Sequence, residues 1–226
     1  WMNTAIIVAA GSGNRFNSKT PKQFADILGK PIIIHTLEKF DACEAISQIV
    51  LVLPSNEIPI YEKLIEEFGL KKIKSIIVGG ASRAESVLNG LNAADPETDI
   101  VAVHDGVRPL VSIEEISATV EKAQETGAAC LVTLVTDTIK QVEAGKITGT
   151  LDRTKLRRAM TPQAFRYELL RQALTQANLD DGVTDECMLV ERLGYEIAYV
   201  EGSARNIKIT HLEDRIFAEA LLRNSE

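Results

Sequence analysis

The sequence predicts an α/β fold with a doubly wound, mostly parallel sheet, on the basis of two observations. Short apolar, β-branched runs recur along the chain: AIIVAA (5–10), QIVLVL (48–53), KSIIVGG (74–80), DIVAVHD (99–105) and AACLVTLV (128–135). Continuous runs of this length indicate strands that are covered on both faces, as they are in parallel sheets. Amphipathic segments separate the runs, and this alternation of strand and helix is typical of doubly wound folds.

The predicted helices carry start and stop signals. PIIIHTLEKF (31–40) begins with a proline that suits a first helical turn, and IYEKLIEEFG (60–69) ends on a glycine. SRAESVLNGLNAA (82–94) follows the third strand. SIEEISATVEKAQETG (112–127) opens with Ser112 and Glu115 at the spacing of a capping box and closes on a glycine.

The pattern changes after the fifth strand. TIKQVEAGKITGTL (138–151) alternates around EAGK, which predicts a β-hairpin within an arm at about 137–158. A lone hairpin is poorly stable, so the arm needs a surface to lie against, and a second subunit would provide one. We find no linker or repeat, so residues 1–226 are predicted to form a single domain with this arm inserted.

The remainder of the chain returns to helix and strand. Helices are predicted at Tyr167–Ala177 and Asp185–Leu193, and a strand at YEIAYVEG (195–202). A short NIKIT segment (206–210) leads to a last helix, for which Thr210 and Glu213 are the predicted caps.

Composition excludes several classes of function. The 226 residues carry a formal net charge of -7, so no overall field attracts nucleic acid or an anionic membrane. Cys43, Cys130 and Cys187 are scattered, which favours reduced thiols over disulfides or a zinc site. The chain shows neither a signal-peptide pattern nor an apolar run of about 18 residues. These features predict a soluble, cytoplasmic globular protein.

The loop after the first strand, AAGSGNRFNSKTPKQF (9–24), has the chemistry of a phosphate site. It does not match the P-loop motif GxxxxGK[ST], because Gly13 is followed by Asn14 and Arg15. It also does not match the dinucleotide fingerprint GxGxxG, because Phe16 occupies the third glycine position. Its two glycines let backbone N–H groups approach an anion, and Arg15, Lys19 and Lys22 add positive charge. The loop is therefore predicted to wrap a triphosphate.

The tip of the fourth strand, VHDGVRP (103–109), supplies a carboxylate. Asp105 ends a central parallel strand and would point into the ligand crevice, where it could bind Mg²⁺ through an oxygen ligand. Arg108 would hold Asp105 or reach a phosphate. His104 faces the opposite way by strand alternation, so it is predicted to be packed rather than to act as a general base.

The order G-x-G-x-R…P-K resembles the nucleotidyltransferases that activate sugar or polyol phosphates, and the PKQF ending narrows the resemblance. The chain is similar to the cytidylyltransferases that act on 2-C-methyl-D-erythritol 4-phosphate, from about residue 4 to 223. DTIK, LDR (151–153), TPQAF (161–165), TDE (184–186) and NIKIT follow in the order of that family. The resemblance implies a Rossmann-like nucleotidyltransferase fold, a homodimer joined by the β-arm, and Mg²⁺-dependent transfer of a cytidylyl group from CTP with release of pyrophosphate.

The resemblance also implies roles for individual residues. The catalytic set would be Arg15, Lys22, Arg153 and Lys208; the nucleotide would contact Ala9, Ala10, Gly11, Gly13, Gly80, Ala81, Arg83, Ser86, Asp105 and Gly106. The polyol phosphate would contact Thr138, Arg153, Thr161, Thr184 and Arg108, and Asp105 would bind the metal. Arg153 and Thr138 lie on the arm and would serve the neighbouring subunit's site. Family members often carry a polar residue at the position of Ala81, so here only a backbone contact is expected.

Three alternatives remain open at this point. A ribitol-5-phosphate cytidylyltransferase shares the PKQ loop, the HD…RP motif and the NIK segment. A dinucleotide-binding dehydrogenase is disfavoured by the missing third glycine and because the second strand ends in LVLPS (51–55), without the acidic residue that would bind a ribose. A catalytically silent module on the same fold is disfavoured by the complete set of Arg15, Lys22, Asp105, Arg153 and Lys208.

Overall fold

The computed structural model describes residues 1–11, 25–177 and 182–224. The strands are β1 (Asn3–Val8), β2 (Asp26–Ile27), β3 (Lys30–Pro31), β4 (Gln48–Leu53), β5 (Ile73–Val78), β6 (Ile100–Asp105), β7 (Ala128–Leu134), β8 (Lys140–Glu143), β9 (Lys146–Thr150), β10 (Arg157–Arg166) and β11 (Ala198–Glu201). The helices are α1 (Ile32–Ala42), α2 (Ile58–Glu67), α3 (Arg83–Asn92), α4 (Ile113–Thr126), α5 (Tyr167–Gln176), α6 (Glu186–Arg192) and α7 (Leu212–Arg223).

Seven strands form the central sheet in the order β11-β7-β10-β6-β1-β4-β5. Neighbouring strands pair in parallel except β10, which runs antiparallel to both β6 and β7. The five apolar runs predicted as strands are β1, β4, β5, β6 and β7, and the mostly parallel α/β sheet is confirmed. The chain winds from β1 towards β5 and then resumes on the other side of β1 at β6, so the direction of winding reverses between β1 and β6.

Helices cover both faces of this sheet. One buried cluster packs α1, α2 and α4 against Ala5 and Ile7, and a second packs α3, α5 and α6 against Ile6 and Val103. Adjacent residues of β1 thus enter opposite cores, which explains why the strand has no polar face. The capping box of α4 is present as predicted: Ser112 accepts from the Glu115 N–H, and Gly127 ends the helix with a positive φ.

β10 was not predicted from the sequence. Its residues RRAMTPQAFR begin with two arginines and include a proline, which argues against a central strand. The pairing of β10 with β7 shifts register between Ala159 and Gln163, and Pro162 lies inside this irregular stretch. The interruption lets the strand tolerate a residue that cannot donate to the ladder.

Near the C-terminus, the NIKIT segment (206–210) has no strand partner in the described structure, although the Ile209 N–H donates to the Val107 carbonyl. The predicted cap of the last helix was wrong: the Asp214 carboxylate, not Glu213, accepts from the backbone N–H groups of Thr210 and His211. The two acidic residues are adjacent in sequence, and the helix begins later than expected, at Leu212.

The hairpin predicted at 138–151 is present as the separate two-stranded sheet β8–β9. Val142 and Ile147 on this hairpin are 67% and 66% exposed, which is unusual for paired apolar residues. Among the described residues, no helix is long and apolar enough to cross a membrane.

Candidate active site

The candidate site lies where the winding of the sheet reverses. Val8 at the end of β1 is in register with Asp105 at the end of β6, and the Gly106 N–H donates to the Val8 carbonyl. In open α/β sheets, ligands bind at such a point, beyond the carboxyl ends of the strands. The fold therefore brings together two sequence-predicted segments, 9–11 and 105–108, that are almost 100 residues apart.

Two adjoining cavities open at this edge of the sheet. The glycine cavity, of about 490 Å³, is lined by Val8, Ala10, Gly11, Gly80, Ala81, Ser82, Arg83, Ser86, Asp105, Val107 and Lys208. The threonine cavity, of about 230 Å³, is lined by Arg83, Asp105, Arg108, Ala159, Met160, Thr161, Gln163, Thr184, Asp185 and Lys208. Arg83, Asp105 and Lys208 line both cavities, so these three charged side chains stand at the boundary between them.

Asp105 is the centre of a charged cluster. Its Oδ1 accepts from Arg83 Nε and Nη2 at 3.2 and 3.1 Å. Its Oδ2 lies 3.3 Å from Arg108 Nε and 3.1 Å from Lys208 Nζ. Burial would raise the pKa of this carboxyl, but Arg83, Lys208 and Arg108 outweigh burial and hold its pKa well below the usual range. Asp105 is therefore ionised at neutral pH.

This arrangement predicts a dependence of stability on pH. Because the folded-state pKa of Asp105 is depressed, its contribution to stability is present above the ordinary carboxyl value of 3.8 and is lost as the pH falls below it. We expect the difference in unfolding free energy between the wild type and Asp105→Asn to shrink as the pH falls below about 4. Urea titrations of both proteins between pH 7 and pH 3 measure this difference; a difference that stays constant over the range would contradict the ion pairs.

A hydrogen-bonded relay fixes the turn that carries Asp105. His104 Nε2 lies 3.2 Å from the Arg108 carbonyl, which can only accept, so Nε2 carries the proton. Nδ1 then accepts from the Thr161 hydroxyl at 2.9 Å, and that hydroxyl accepts from the Asp105 N–H at 3.1 Å. Burial lowers the pKa of His104 to about 3, so the ring is neutral, and it packs against Phe40. The structure thus confirms a packed histidine.

Replacing Thr161 with valine should destabilise the protein. The change leaves His104 Nδ1 and the Asp105 N–H buried without partners, which should cost about 3 kcal/mol of unfolding free energy. Thr161→Ser keeps the hydroxyl and serves as the control; it should lose much less. Urea unfolding followed by circular dichroism measures both variants, and equal stabilities would show that the hydroxyl does not support this turn.

Two glycines pack tightly next to the segments that line the glycine cavity. A Cβ on Gly79 would lie 2.3 Å from the Ala10 Cβ, and one on Gly106 would lie 2.5 Å from Ile33 Cδ1. The Ser86 hydroxyl accepts from the Gly80 N–H and donates to the Ser82 carbonyl, so it holds this loop in place. The glycines that line the cavity itself are Gly11 and Gly80, and at these positions a flat ring could approach the backbone closely.

The remaining predicted residues fall into four groups, of which the first, Ala9 and Gly106, is not among the described residues that line either cavity. Thr184 lines the threonine cavity. Thr138 and Arg153 are exposed on the arm, where Arg153 Nη1 donates to the Thr136 carbonyl; neither is among the described residues that line the two cavities. Gly13, Arg15 and Lys22, and the whole of 12–24, lie outside the described residues, so their roles stay predictions.

Two buried polar residues at the site escaped the sequence reasoning. Glu186 pairs with Arg83 Nη1, and Asn206 donates through Nδ2 to the Thr161 carbonyl at 2.9 Å. The Asn206 carbonyl in turn accepts from Arg108 Nη1 at 2.8 Å. Glu186 is part of the TDE run and Asn206 of the NIK run. In sequence, however, Glu186 looked like an ordinary residue beside a helix cap, and Asn206 like an ordinary residue of a short strand.

Sequence comparisons agree on one family over the whole chain. The family model for 2-C-methyl-D-erythritol 4-phosphate cytidylyltransferase matches residues 3–224. The 2-C-methyl-D-erythritol 4-phosphate cytidylyltransferase of Geotalea uraniireducens is 43% identical over 99% of this chain and 98% of its own length. The protein of the same name from Geobacter metallireducens is 42% identical over 97% of each chain.

Solved structures give the same result. The 4-diphosphocytidyl-2C-methyl-D-erythritol synthase of Anaerococcus prevotii superposes with a TM-score of 0.87 at 29% identity, covering 98% of this chain and 96% of that one. The 2-C-methyl-D-erythritol 4-phosphate cytidylyltransferase of Thermus thermophilus superposes with a TM-score of 0.77 at 33% identity, covering 97% and 98%. The chain therefore belongs to the 2-C-methyl-D-erythritol 4-phosphate cytidylyltransferase family.

Proposed function

We propose that the two cavities divide the binding of the two substrates of cytidylyl transfer. CTP occupies the glycine cavity, and the phosphate of 2-C-methyl-D-erythritol 4-phosphate occupies the threonine cavity. An oxygen of that phosphate attacks the α-phosphorus of CTP; a new P–O bond forms, the bond to the β-phosphate breaks, and pyrophosphate leaves. Family membership supports this acceptor over ribitol 5-phosphate.

The observation that carries the proposal is the charged cluster at the boundary of the two cavities. In this ion-paired cluster, Arg83, Arg108 and Lys208 supply three positive charges and Asp105 and Glu186 two negative ones, which leaves one net positive charge; Asp185 adds a separate carboxylate to the lining of the threonine cavity. Two anionic substrates would meet beside this cluster. Arg15 and Lys22, predicted from the loop sequence, would add two further cations on the CTP side.

The chemistry needs charge neutralisation more than it needs a base. A phosphate monoester is ionised near neutral pH and is already a nucleophile. His104, the histidine nearest to Asp105 in sequence, is neutral, fully buried and hydrogen-bonded on both ring nitrogens, so it is unsuited to proton transfer with a substrate. Positioning and electrostatic stabilisation then account for catalysis, as they largely do in phosphoryl transfer.

We further propose that Asp105 helps to hold Mg²⁺. The ionised carboxylate is a hard oxygen donor of the kind that magnesium prefers, and substrate phosphates and water usually complete its coordination. Among the described residues, no group of three or more His, Cys, Asp or Glu side chains could form a metal site by itself. Asp105 would therefore share the ion with the triphosphate, whose negative charge the ion would offset. Lys208 Nζ would have to move from Asp105 towards a phosphate.

The arm supports the proposal of a homodimer. Val142 and Ile147 expose apolar surface on the β8–β9 hairpin, and a second subunit would bury it. Thr138 and Arg153 would then reach the partner's threonine cavity and bind the acceptor phosphate there.

The three cysteines are buried and unbridged, which agrees with the proposed cytoplasmic location.

Pyrophosphate release with Mg²⁺ and CTP tests the acceptor. We expect turnover with 2-C-methyl-D-erythritol 4-phosphate and little with ribitol 5-phosphate or without acceptor. Turnover with ribitol 5-phosphate alone would keep the site roles and change the substrate. No turnover with either acceptor, in protein that binds CTP, would overturn the proposal.

A further inference from the structure

Glu186 is a buried carboxylate that touches neither cavity. It is the first residue of α6, follows the helix cap Asp185, and is 0% exposed. It is absent from the described residues that line the two cavities. One of its oxygens, Oε1, contacts Arg83 Nη1; the other, Oε2, is buried without a hydrogen-bond partner in the described structure.

Arg83 connects Glu186 to the site. Three of its nitrogens are engaged by carboxylates: Nη1 by Glu186, and Nε and Nη2 by Asp105 Oδ1. Among the described cations around Asp105, Arg83 has a second carboxylate partner, whereas Arg108 and Lys208 pair with Asp105 alone. The guanidinium is thus clamped between two anions at the boundary of the cavities.

This pair is a poor source of stability. Burial raises the pKa of Glu186 against the opposing effect of Arg83, so the carboxylate is kept in an environment that disfavours its charge. Buried ion pairs often contribute little net stability, because the desolvation cost offsets the attraction. What the pair does provide is a fixed direction for the guanidinium plane, since a planar fork with three engaged nitrogens has little freedom to rotate.

The charges around Asp105 explain why Arg83 needs a second carboxylate partner. The Asp105 carboxylate pairs with three cations, and in the proposed function it also binds a metal ion. Lys208 has a side chain that is 38% exposed and, among the described residues, pairs with this carboxylate alone, so it can turn towards an incoming phosphate. Arg83 also pairs with Glu186, and this ion pair does not depend on Asp105.

Resting on the proposed function, we propose that Glu186 is a positioning residue for cytidylyl transfer. It holds Arg83 at the boundary of the two cavities when Asp105 is engaged by other partners. Arg83 then presents a fixed positive charge to the reacting phosphates, and Lys208 is the cation that moves. Glu186 itself contacts neither substrate.

A double-mutant cycle tests the proposal through kinetics. Glu186→Gln should lower kcat on the order of 10- to 100-fold, because the guanidinium is misplaced, with a smaller change in the KM for CTP. Glu186→Gln combined with Arg83→Gln should be no slower than Arg83→Gln alone, since Glu186 acts through Arg83. Glu168→Gln, which breaks the exposed Glu168–Arg171 pair, is the matched control and should match the wild type. A folded Glu186→Gln with wild-type kinetics, or losses that multiply in the double variant, would overturn the proposal.

A measurement on the wild type tests the clamp without relying on the kinetics of Glu186→Gln. Nitrogen NMR of arginine side chains should show separate Nη1 and Nη2 signals for Arg83, assigned by their loss in Arg83→Gln, both before and after CTP and Mg²⁺ are added. Signals that merge on addition of CTP would show that the clamp releases and would contradict the positioning role. Wild-type protein that keeps the clamp but releases no pyrophosphate would instead count against the proposed function.

Discussion

Lys208→Ala is expected to fold normally and to lose about 100- to 1000-fold in kcat/KM. The ammonium group lies 3.1 Å from Asp105 Oδ2 and lines both cavities, so it is placed to neutralise charge on the phosphates that react. The side chain is partly exposed, which is why its removal should leave the core intact. Steady-state rates of pyrophosphate release, with CTP and acceptor varied separately, give the size of the effect.

Two further variants sharpen this test. Lys122→Ala removes a lysine that pairs with Glu125 on the exposed face of α4, and it should retain wild-type activity. Lys208→Arg keeps the charge but changes its shape and reach, so partial activity is expected. A rate for Lys208→Ala within threefold of the wild type would remove Lys208 from the catalytic set.

Arg153→Ala should raise the KM for the acceptor about 10- to 100-fold, the range expected for the loss of a charge-assisted contact. The affinity for CTP should change little, because Arg153 lies on the arm, away from the described lining of its own glycine cavity. Calorimetric titration with CTP separates the two effects. A lost CTP signal in a folded variant would contradict the role in acceptor binding.

The same residue tests whether the arm serves the neighbouring subunit. Subunits carrying Lys208→Ala are mixed with subunits carrying Arg153→Ala and allowed to exchange. If the arm reaches across, each mixed dimer regains one complete site, and random pairing restores about one quarter of the wild-type sites. Activity no greater than the average of the two parents would show that each arm serves its own subunit.

The sequence predicted most of the fold because its signals are local. Five apolar runs became β1, β4, β5, β6 and β7, and the capping box at Ser112 marked the start of α4. β10 was missed because the two arginines at its start and Pro162 contradict the pattern of a central strand. β10 pairs with β6 and β7, which lie beside it in the sheet but far from it in sequence.

The site was predicted less completely, because most of its contacts join residues that are distant in sequence. The position of Asp105 follows from topology alone, because the tip of a central parallel strand faces the crevice. Arg108, three residues away, was predicted to hold Asp105, but the other two cationic partners could not be derived from spacing, because Arg83 and Lys208 lie 22 and 103 residues away along the chain. Glu186 gave no signal, since a carboxylate in the first turn of a helix is ordinarily solvent-exposed.

Phosphorus NMR of the complete reaction shows whether the enzyme transfers a cytidylyl group, because it identifies which bond of CTP breaks. With Mg²⁺, CTP and 2-C-methyl-D-erythritol 4-phosphate, we expect the wild type to form pyrophosphate and a cytidine diphosphate diester in equal amounts, and Lys208→Ala to form almost none of either. Formation of inorganic phosphate and CDP, or of pyrophosphate without the diester, would show that the α-phosphorus is not transferred to the acceptor and would rule out cytidylyl transfer at this site.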